Sequence, residues 1–242
     1  MKTVTTLLLV AIALAVPMVA EADALDEGRV KELVYEAIRE NPDIVMEALS
    51  TLQKRQAAAE ATNASDFLAA ERDVIERDPN APVLGNPEGD VTVVEFFDYN
   101  CPYCRRAAPE VDALIAKDRN IRLVYREWPI LSEGSVFAAK AALAAREQGK
   151  YEEFHWALMG MQGRAEEASV LRVAEEIGLD VEQLRADMDA PEVEEHIATS
   201  MRLTQALGFN GTPSFVIGET LVPGFVDEEQ LRSVVEETRD GG

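Results

Sequence analysis

The 242-residue chain holds only two cysteines and two histidines. Two thiols supply half of the four-ligand shell of a structural zinc site, so a zinc reading stands only if His155, His196 or carboxylates converge on them. The cysteines, Cys101 and Cys104, lie three positions apart. A bridge closing so small a loop constrains the unfolded chain little, which excludes a disulfide-stapled scaffold. Positive charge is also scarce: 23 Lys and Arg stand against 45 Asp and Glu, for a net charge of −22. A surface that acidic repels phosphate backbones and anionic lipid, which argues against nucleic acid as a partner and leaves solubility as the ordinary meaning of the charge. No internal repeat or low-complexity tract is present.

Long apolar runs are nearly absent as well. The exception runs from Leu7 to Val16, after Lys2 and before the small-residue stretch ending Ala22-Asp23-Ala24. It is broken at Pro17 and falls short of the roughly 20 residues a spanning helix needs, so residues 1–24 read as a signal peptide. Cleavage is expected after Ala24, although a cut after Ala20 also leaves a small residue behind. Export places the thiols in an oxidising compartment, where scaffold disulfides are common. A lone close pair there points to reactive thiols.

Three regions differ in composition. From Leu25 to about Pro79 the pattern is helical, with Val30, Leu33, Val34, Ala37 and Ile38 forming one apolar stripe. Asn41-Pro42 interrupts it, with Asn41 as the expected N-cap of a second helix carrying Ile44, Val45, Ala48, Leu49 and Leu52. Beyond Gln53 the Ala- and charge-rich stretch through Arg77 reads as an exposed helical connector. These short amphipathic helices own too little core to stand alone and must bury their stripe on the body of the chain or on sister chains.

Asp78-Pro79-Asn80-Ala81-Pro82 breaks the helical pattern, and a catalytic body is expected over residues 81–242. Val91–Phe97 reads as a buried strand, Pro102–Lys117 as a helix and Ile121–Arg126 as a second strand, the order of a right-handed parallel βαβ unit. Residues 134–207 turn helical again, with four or five short helices expected from stops at Gly149, Gly160, Gly178 and Gly208. Strands at Pro213–Ile217 and Thr220–Val222 and a helix from Asp227 to about Thr238 close the chain. The fold class is α/β, with a helical insertion in a β-containing body.

Cys101 follows a strand and opens a helix, where unpaired backbone N–H groups and the helix dipole stabilise a thiolate. Cys104, one turn later, is placed to attack a mixed disulfide on Cys101. Pro102 and Tyr103 sit between the thiols and tune them through the geometry of the helix start. His155, His196 and Trp128 read as packing residues without a chemical role.

The run Val94-Glu95-Phe96-Phe97-Asp98-Tyr99-Asn100-Cys101-Pro102-Tyr103-Cys104, the later Gly211-Thr212-Pro213-Ser214-Phe215 and the helical insertion between them resemble the DsbA-like branch of the thioredoxin superfamily. The resemblance covers roughly residues 80–240 and implies a thioredoxin-like fold. It also implies a cis Thr212–Pro213 bond lying against the cysteine pair, with the Thr212 backbone free to bond an extended substrate. Glu95 stands where the family carries an acidic residue under the active site, which implies a proton relay for Cys104. Without the family, Glu95 reaching solvent at the strand end is the alternative.

Ile38-Arg39-Glu40-Asn41-Pro42-Asp43-Ile44 is similar to the oligomerisation region of ScsC-type members, which form trimers and shuffle disulfides. That resemblance implies a homotrimer assembled through residues 25–60. Thr212 and Tyr103 also resemble isomerase and reductase members more than the strong oxidase.

The expectation is therefore an exported, periplasmic thiol-disulfide oxidoreductase. As an isomerase it would act on disulfide-containing client proteins, need no cofactor or metal, and be reset by a membrane redox partner. A monomeric dithiol oxidase is the nearest alternative, and a Cu(I)-binding thiol protein is the alternative from another class.

Overall fold

The computed structural model describes residues 26–241, so the signal-peptide expectation for residues 1–24 lies outside the described residues. The chain forms two units, with the division between Lys54 and Arg55.

In the first unit α1 spans Glu27–Glu40, and α2, Asp43–Ala70, begins here and continues past the division. Asp26 caps α1 by accepting a hydrogen bond from the Arg29 N–H at 2.7 Å. Asn41 departs from expectation. It closes α1 as its C-cap, its backbone N–H donating to the Ala37 carbonyl, while the first free N–H groups of α2 are taken by the backbone carbonyls of Asn41 and Pro42. The backbone supplied acceptors within the turn, so the amide side chain turned back toward α1. The apolar stripe is fully in view: Val30, Leu33, Val34, Ile38, Ile44, Val45, Met46, Leu49 and Leu52 are all exposed.

The second unit holds the end of α2 and then α3 (Arg72–Arg77), β1 (Val83–Gly85), β2 (Val91–Phe97), α4 (Pro102–Lys117) and β3 (Ile121–Glu127). The helical insertion follows as α5 (Glu133–Ala144), α6 (Tyr151–Gly160), α7 (Glu167–Glu176), α8 (Val181–Asp187) and α9 (Pro191–Ala206). The chain then returns to the sheet with β4 (Ser214–Ile217) and β5 (Thr220–Pro223) and ends on α10 (Glu228–Gly241). The five strands order as β1-β3-β2-β4-β5. β2 and β3 run parallel in the register Glu95↔Tyr125, joined by α4, while β1, β4 and β5 add antiparallel to their neighbours.

Every residue of β2 is buried, which is why its sequence is an apolar run rather than an alternation. On one face Val93 and Phe97 pack with Val111 and Leu114 of α4, Leu231 and Val235 of α10 and Phe154 and Leu158 of α6. On the other, Val94, Phe96 and Val124 pack against Leu68, Ile75, Leu203 and Leu207. Leu68 and Ile75 correct the reading of residues 54–77 as an exposed connector. Ile75 is 0% exposed, and Arg126, also fully buried, reaches the Asp78 carboxylate at 2.8 Å. Ala64, Phe67, Leu68, Val74 and Ile75 do recur at helical spacing, but the break between α2 and α3 and the charged residues among them dilute the stripe, which closes that face of the sheet.

β1 was not expected, since three residues give no alternation to read. It is fixed instead by its partner, pairing Val83 with Val124, and by Gly85 at φ 67°, where a Cβ would stand 2.7 Å from the Ile121 carbonyl oxygen. Among the described residues, no helix is long and apolar enough to cross a membrane.

Candidate active site

β2 delivers the chain to a tight turn, Asp98-Tyr99-Asn100, that ends on Cys101. The Asn100 N–H donates to the Asp98 Oδ1 at 2.7 Å and the Cys101 N–H to the Asp98 carbonyl at 3.0 Å. Such an Asx turn lets a buried strand stop within three residues. Cys101 is the N-cap of α4 and Pro102 fills its first position, where a missing N–H has no cost. Both cysteines are free and buried, while Tyr103 between them is 55% exposed.

The Thr212–Pro213 peptide is cis, and the Thr212 carbonyl oxygen lies 3.2 Å from the Cys101 Sγ. Pro213 is tied in turn to the loop after β5: its carbonyl accepts the Gly224 N–H at 2.9 Å. The next residue, Phe225, lies under the Arg106 guanidinium of α4, 4.4 Å from ring centroid to cation. The two sequence motifs, more than a hundred residues apart, thus form one site.

The electrostatics separate the two sulfurs. The Cys101 thiol falls from 9.0 to about 6, chiefly through the hydrogen bond from the Cys104 side chain. Burial opposes the shift, and the Thr212 side chain and the backbone N–H groups of Cys104 and Tyr103 add to it. The backbone amides expected to dominate are therefore the smaller contributors. Cys104 moves the other way, well above 9.0, because it is buried and because its hydrogen bond to Cys101 and the charges of Glu95 and Cys101 all favour its proton. One thiol is ionised at neutral pH and the other keeps its proton.

Glu95 sits in β2 between Tyr125 of β3 and Phe215 of β4. It is 1% exposed and does not reach solvent, and its Oε1 has no hydrogen-bond partner. Burial first, and the Cys101 charge second, raise its pKa from 4.5 to about 8. Glu95 is thus mostly protonated at neutral pH and coupled electrostatically to the Cys101 charge.

Several polar residues around the site were not singled out by sequence reasoning. Asp98 is 1% exposed, and its Oδ2 accepts the N–H groups of Ile130 and Leu131 at 2.9 and 3.0 Å. Asn100 donates to the hydroxyls of Ser132 and Ser135 and to the Ala165 carbonyl, and accepts the Ala165 N–H at 2.8 Å. Arg105 donates from Nε to the Tyr99 carbonyl and from one terminal nitrogen to the Met161 and Gly163 carbonyls. The available signal was an Asp-x-Asn turn at the end of an apolar strand; the partners in the loop after β3 and around Ala165 are distant in sequence.

The two histidines are core residues. His155 stacks on Tyr125 with ring centroids 4.2 Å apart and meets the Tyr99 hydroxyl at 3.1 Å, and burial lowers its pKa to about 3. His196 Nε2 lies 2.8 Å from the Glu127 Oε2, and the other carboxylate oxygen, Oε1, accepts the Tyr151 hydroxyl at 2.6 Å. Burial alone would raise the Glu127 pKa, but the His196 hydrogen bond and charge, the Tyr151 bond and a backbone bond together outweigh it and lower it. Trp128 packs in the second core. Among the described residues no three His, Cys, Asp or Glu side chains are grouped to hold a metal ion.

Residues 92–236 match the DSBA-like thioredoxin domain, and residues 26–59 match the N-terminal domain of the copper resistance protein ScsC. A thioredoxin-like oxidoreductase from Silicibacter pomeroyi DSS-3 is 70% identical with a TM-score of 0.70, covering 71% of this chain and 99% of that one. Proteus mirabilis ScsC in a compact conformation is 27% identical with a TM-score of 0.66, covering 89% of this chain and 99% of that one. The Na(+)/H(+) antiporter NhaA 3 of Salinispora tropica is 33% identical over 88% of this chain. The match takes up 33% of that antiporter, and the chain spans about a third or less of the length of the first curated relatives it matches.

Proposed function

Since this chain belongs to the DSBA-like thioredoxin domain family, we propose that it is an exported thiol-disulfide oxidoreductase that acts as a disulfide isomerase, with Cys101 as nucleophile and Cys104 as resolving thiol. The observation that carries this reading is the Cys101 thiol, held at about 6 beside the Thr212 carbonyl and the cis Pro213. At pH 7 a thiol titrating near 6 rather than 9 favours the dithiol form by about 1.4 kcal/mol, or about 30 mV for a two-electron couple. Reduced protein is thereby kept available to attack.

In the first step the Cys101 thiolate attacks one sulfur of a client disulfide. A Cys101–client S–S bond forms, the client S–S bond breaks, and the other client sulfur leaves as a thiolate. Thr212 presents its backbone to the extended client, and Pro102 and Tyr103 line its approach. Isomerisation follows when a client thiolate attacks elsewhere and the chain of exchanges expels Cys101 as a thiolate, with no net change in oxidation state.

When the client stalls, Cys104 attacks the Cys101 sulfur, and the client leaves fully reduced. Cys104 must first lose its proton, and Glu95 receives it. Forming the mixed disulfide removes the Cys101 charge, one of the two causes that hold the Glu95 pKa high. Losing that charge lowers the Glu95 pKa toward the value that burial alone sets, so the carboxylate fraction rises at the step that needs a base. The Cys101–Cys104 disulfide left behind is reset by a membrane redox partner.

Residues 25–60 serve as a trimerisation region within an N-terminal helical segment that ends near residue 80, ahead of the catalytic domain at 81–242. The exposed apolar stripe of α1 and the first half of α2 supports this reading, since such a surface is stable when covered by its equivalents. Export to the periplasm is supported by the leader pattern of residues 1–24. The test is to delete residues 26–54 and measure mass and refolding of a scrambled disulfide client. A monomer with weakened isomerase activity is expected. A deletion variant with the same number of subunits as the full chain refutes the trimer, and a full-length monomer that oxidises reduced peptides yet cannot rescue scrambled ones favours a dithiol oxidase.

A further inference from the structure

The segment that leads from α9 back to the sheet carries a dipeptide that the redox chemistry leaves unused. Asn210 is the one asparagine followed by glycine, and it stands two residues before Thr212. An amide side chain beside a glycine N–H is a reactive pair. The backbone nitrogen can attack the side-chain carbonyl and close an imide ring, and glycine has no side chain to crowd that nitrogen.

The other asparagines are protected by their surroundings. Asn41 and Asn86 precede proline, which has no N–H to attack with. Asn63 lies within α2, and Asn120 is followed by the β-branched Ile121 at the start of β3. The Asn80 and Asn100 side chains are both committed to hydrogen bonds. Asn210, by contrast, is exposed and lies outside helix and strand, between α9 and β4. Among the described residues, no backbone carbonyl accepts the Gly211 N–H. A Cβ built on Gly211 meets nothing within 4 Å, so no neighbour obstructs ring closure.

The flanks of this dipeptide are fixed. Phe209 is buried against Phe96, with ring centroids 5.8 Å apart, and its N–H donates to the Thr204 carbonyl at 2.9 Å. On the other side the Gly211 carbonyl accepts the Ser214 hydroxyl at 2.7 Å, and the Pro213 carbonyl is tied to Gly224. An atom added to the main chain at Asn210 is therefore absorbed between Phe209 and Pro213. That is the stretch that holds the Thr212 carbonyl 3.2 Å from the Cys101 Sγ.

We propose that Asn210–Gly211 is a self-modification site, at which spontaneous conversion of Asn210 to isoaspartate displaces Thr212 from Cys101 and slows thiol-disulfide exchange as the protein ages. The Gly211 nitrogen bonds to the Asn210 Cγ and gives up its proton, while the Cγ–Nδ2 bond breaks and ammonia leaves with that proton. Water then opens the imide, with no oxidation or reduction. Opening at the backbone carbonyl routes the main chain through Cβ and Cγ, which adds one methylene to it and frees a carboxylate. Opening at Cγ gives ordinary aspartate. Both products place a new negative charge two residues from Thr212, and like charge disfavours a thiolate. Isoaspartate also moves the loop. The modification needs no thiol chemistry, and only its effect on turnover rests on the redox reading.

The test holds the purified, reduced protein at mildly alkaline pH and follows its peptides by tandem mass spectrometry. Replacement of the amide NH2 by OH should accumulate first at Asn210, mainly as isoaspartate and with matching release of ammonia, while Asn63 and Asn120 stay intact. The modified fraction, separated by anion exchange, should show the Cys101 alkylation midpoint shifted upward and a several-fold loss of kcat/KM on a disulfide-bonded peptide. Asn210→Gln, whose longer side chain closes the ring far more slowly, should keep both values through the same incubation. Asn210→Asp should reproduce the upward shift with a smaller kinetic loss, since it adds the charge without the methylene. Conversion at Asn210 no faster than at Asn120 overturns the proposal, as does a modified fraction whose midpoint and kcat/KM match those of fresh protein. Fresh protein that turns over no disulfide, although Asn210 converts and the midpoint moves, sinks the redox reading and leaves the modification site standing.

Discussion

Replacing Glu95 by Gln removes a carboxyl that the folded protein holds at about 8 instead of 4.5, through burial and the neighbouring Cys101 charge. Because the folded state keeps this proton after the unfolded chain has lost it, the group favours folding fully below about pH 4.5, and its contribution is lost as pH rises toward 8. Each pH step in that window is worth about 1.4 kcal/mol. Between pH 5 and pH 7 wild type should therefore lose about 2 to 3 kcal/mol that the Glu95→Gln protein keeps. The lowered carboxyls of Asp78, Asp90 and Asp118 act in the opposite sense at lower pH and cancel between the two proteins. Urea unfolding of both reduced proteins at the two pH values measures the difference directly. The variant should be the more stable one at pH 7 and the slower one in resolving a mixed disulfide. A stability difference that does not change with pH would refute the reasoning, since it would mean that Glu95 titrates alike in the folded and unfolded chain.

The hydrogen bond from Cys104 is the largest cause of the Cys101 shift. Cys104→Ala should thus move the Cys101 midpoint above 6 and let client mixed disulfides accumulate on gels, whereas Cys104→Ser, which keeps a donor, should trap clients with less change in midpoint. Ile75→Ala, at a 0% exposed position under the sheet, should destabilise the catalytic unit by about 2 to 4 kcal/mol, read from denaturant midpoints. A loss below 0.5 kcal/mol would return α3 to the role of a dispensable connector.

The parts of the fold legible in the sequence are those whose signals are local. β2 and α4 begin and end where expected, because an apolar run stops at a turn residue and a proline opens a helix. The five helices of the insertion follow their glycine and proline punctuation. β1 was not legible, since Val83 takes its meaning from the strand it meets, whereas the buried face of α2 and α3 left a faint signal, the helical spacing of Phe67, Leu68, Val74 and Ile75, that the surrounding charges outweighed. The same distinction divides the site. The cysteines announce themselves by spacing, and Glu95 by its place in an apolar strand. Asp98, Asn100 and the buried Glu127–His196 pair show their purpose through partners 24 to 69 residues away.

The account turns on the ionisation of one sulfur, and that can be measured alone. Cys104 is fully buried and keeps its proton, so the pH dependence of alkylation of the reduced protein reports Cys101. A single midpoint near 6 is the result the account predicts; a midpoint near 9, where an unperturbed thiol titrates, would contradict it.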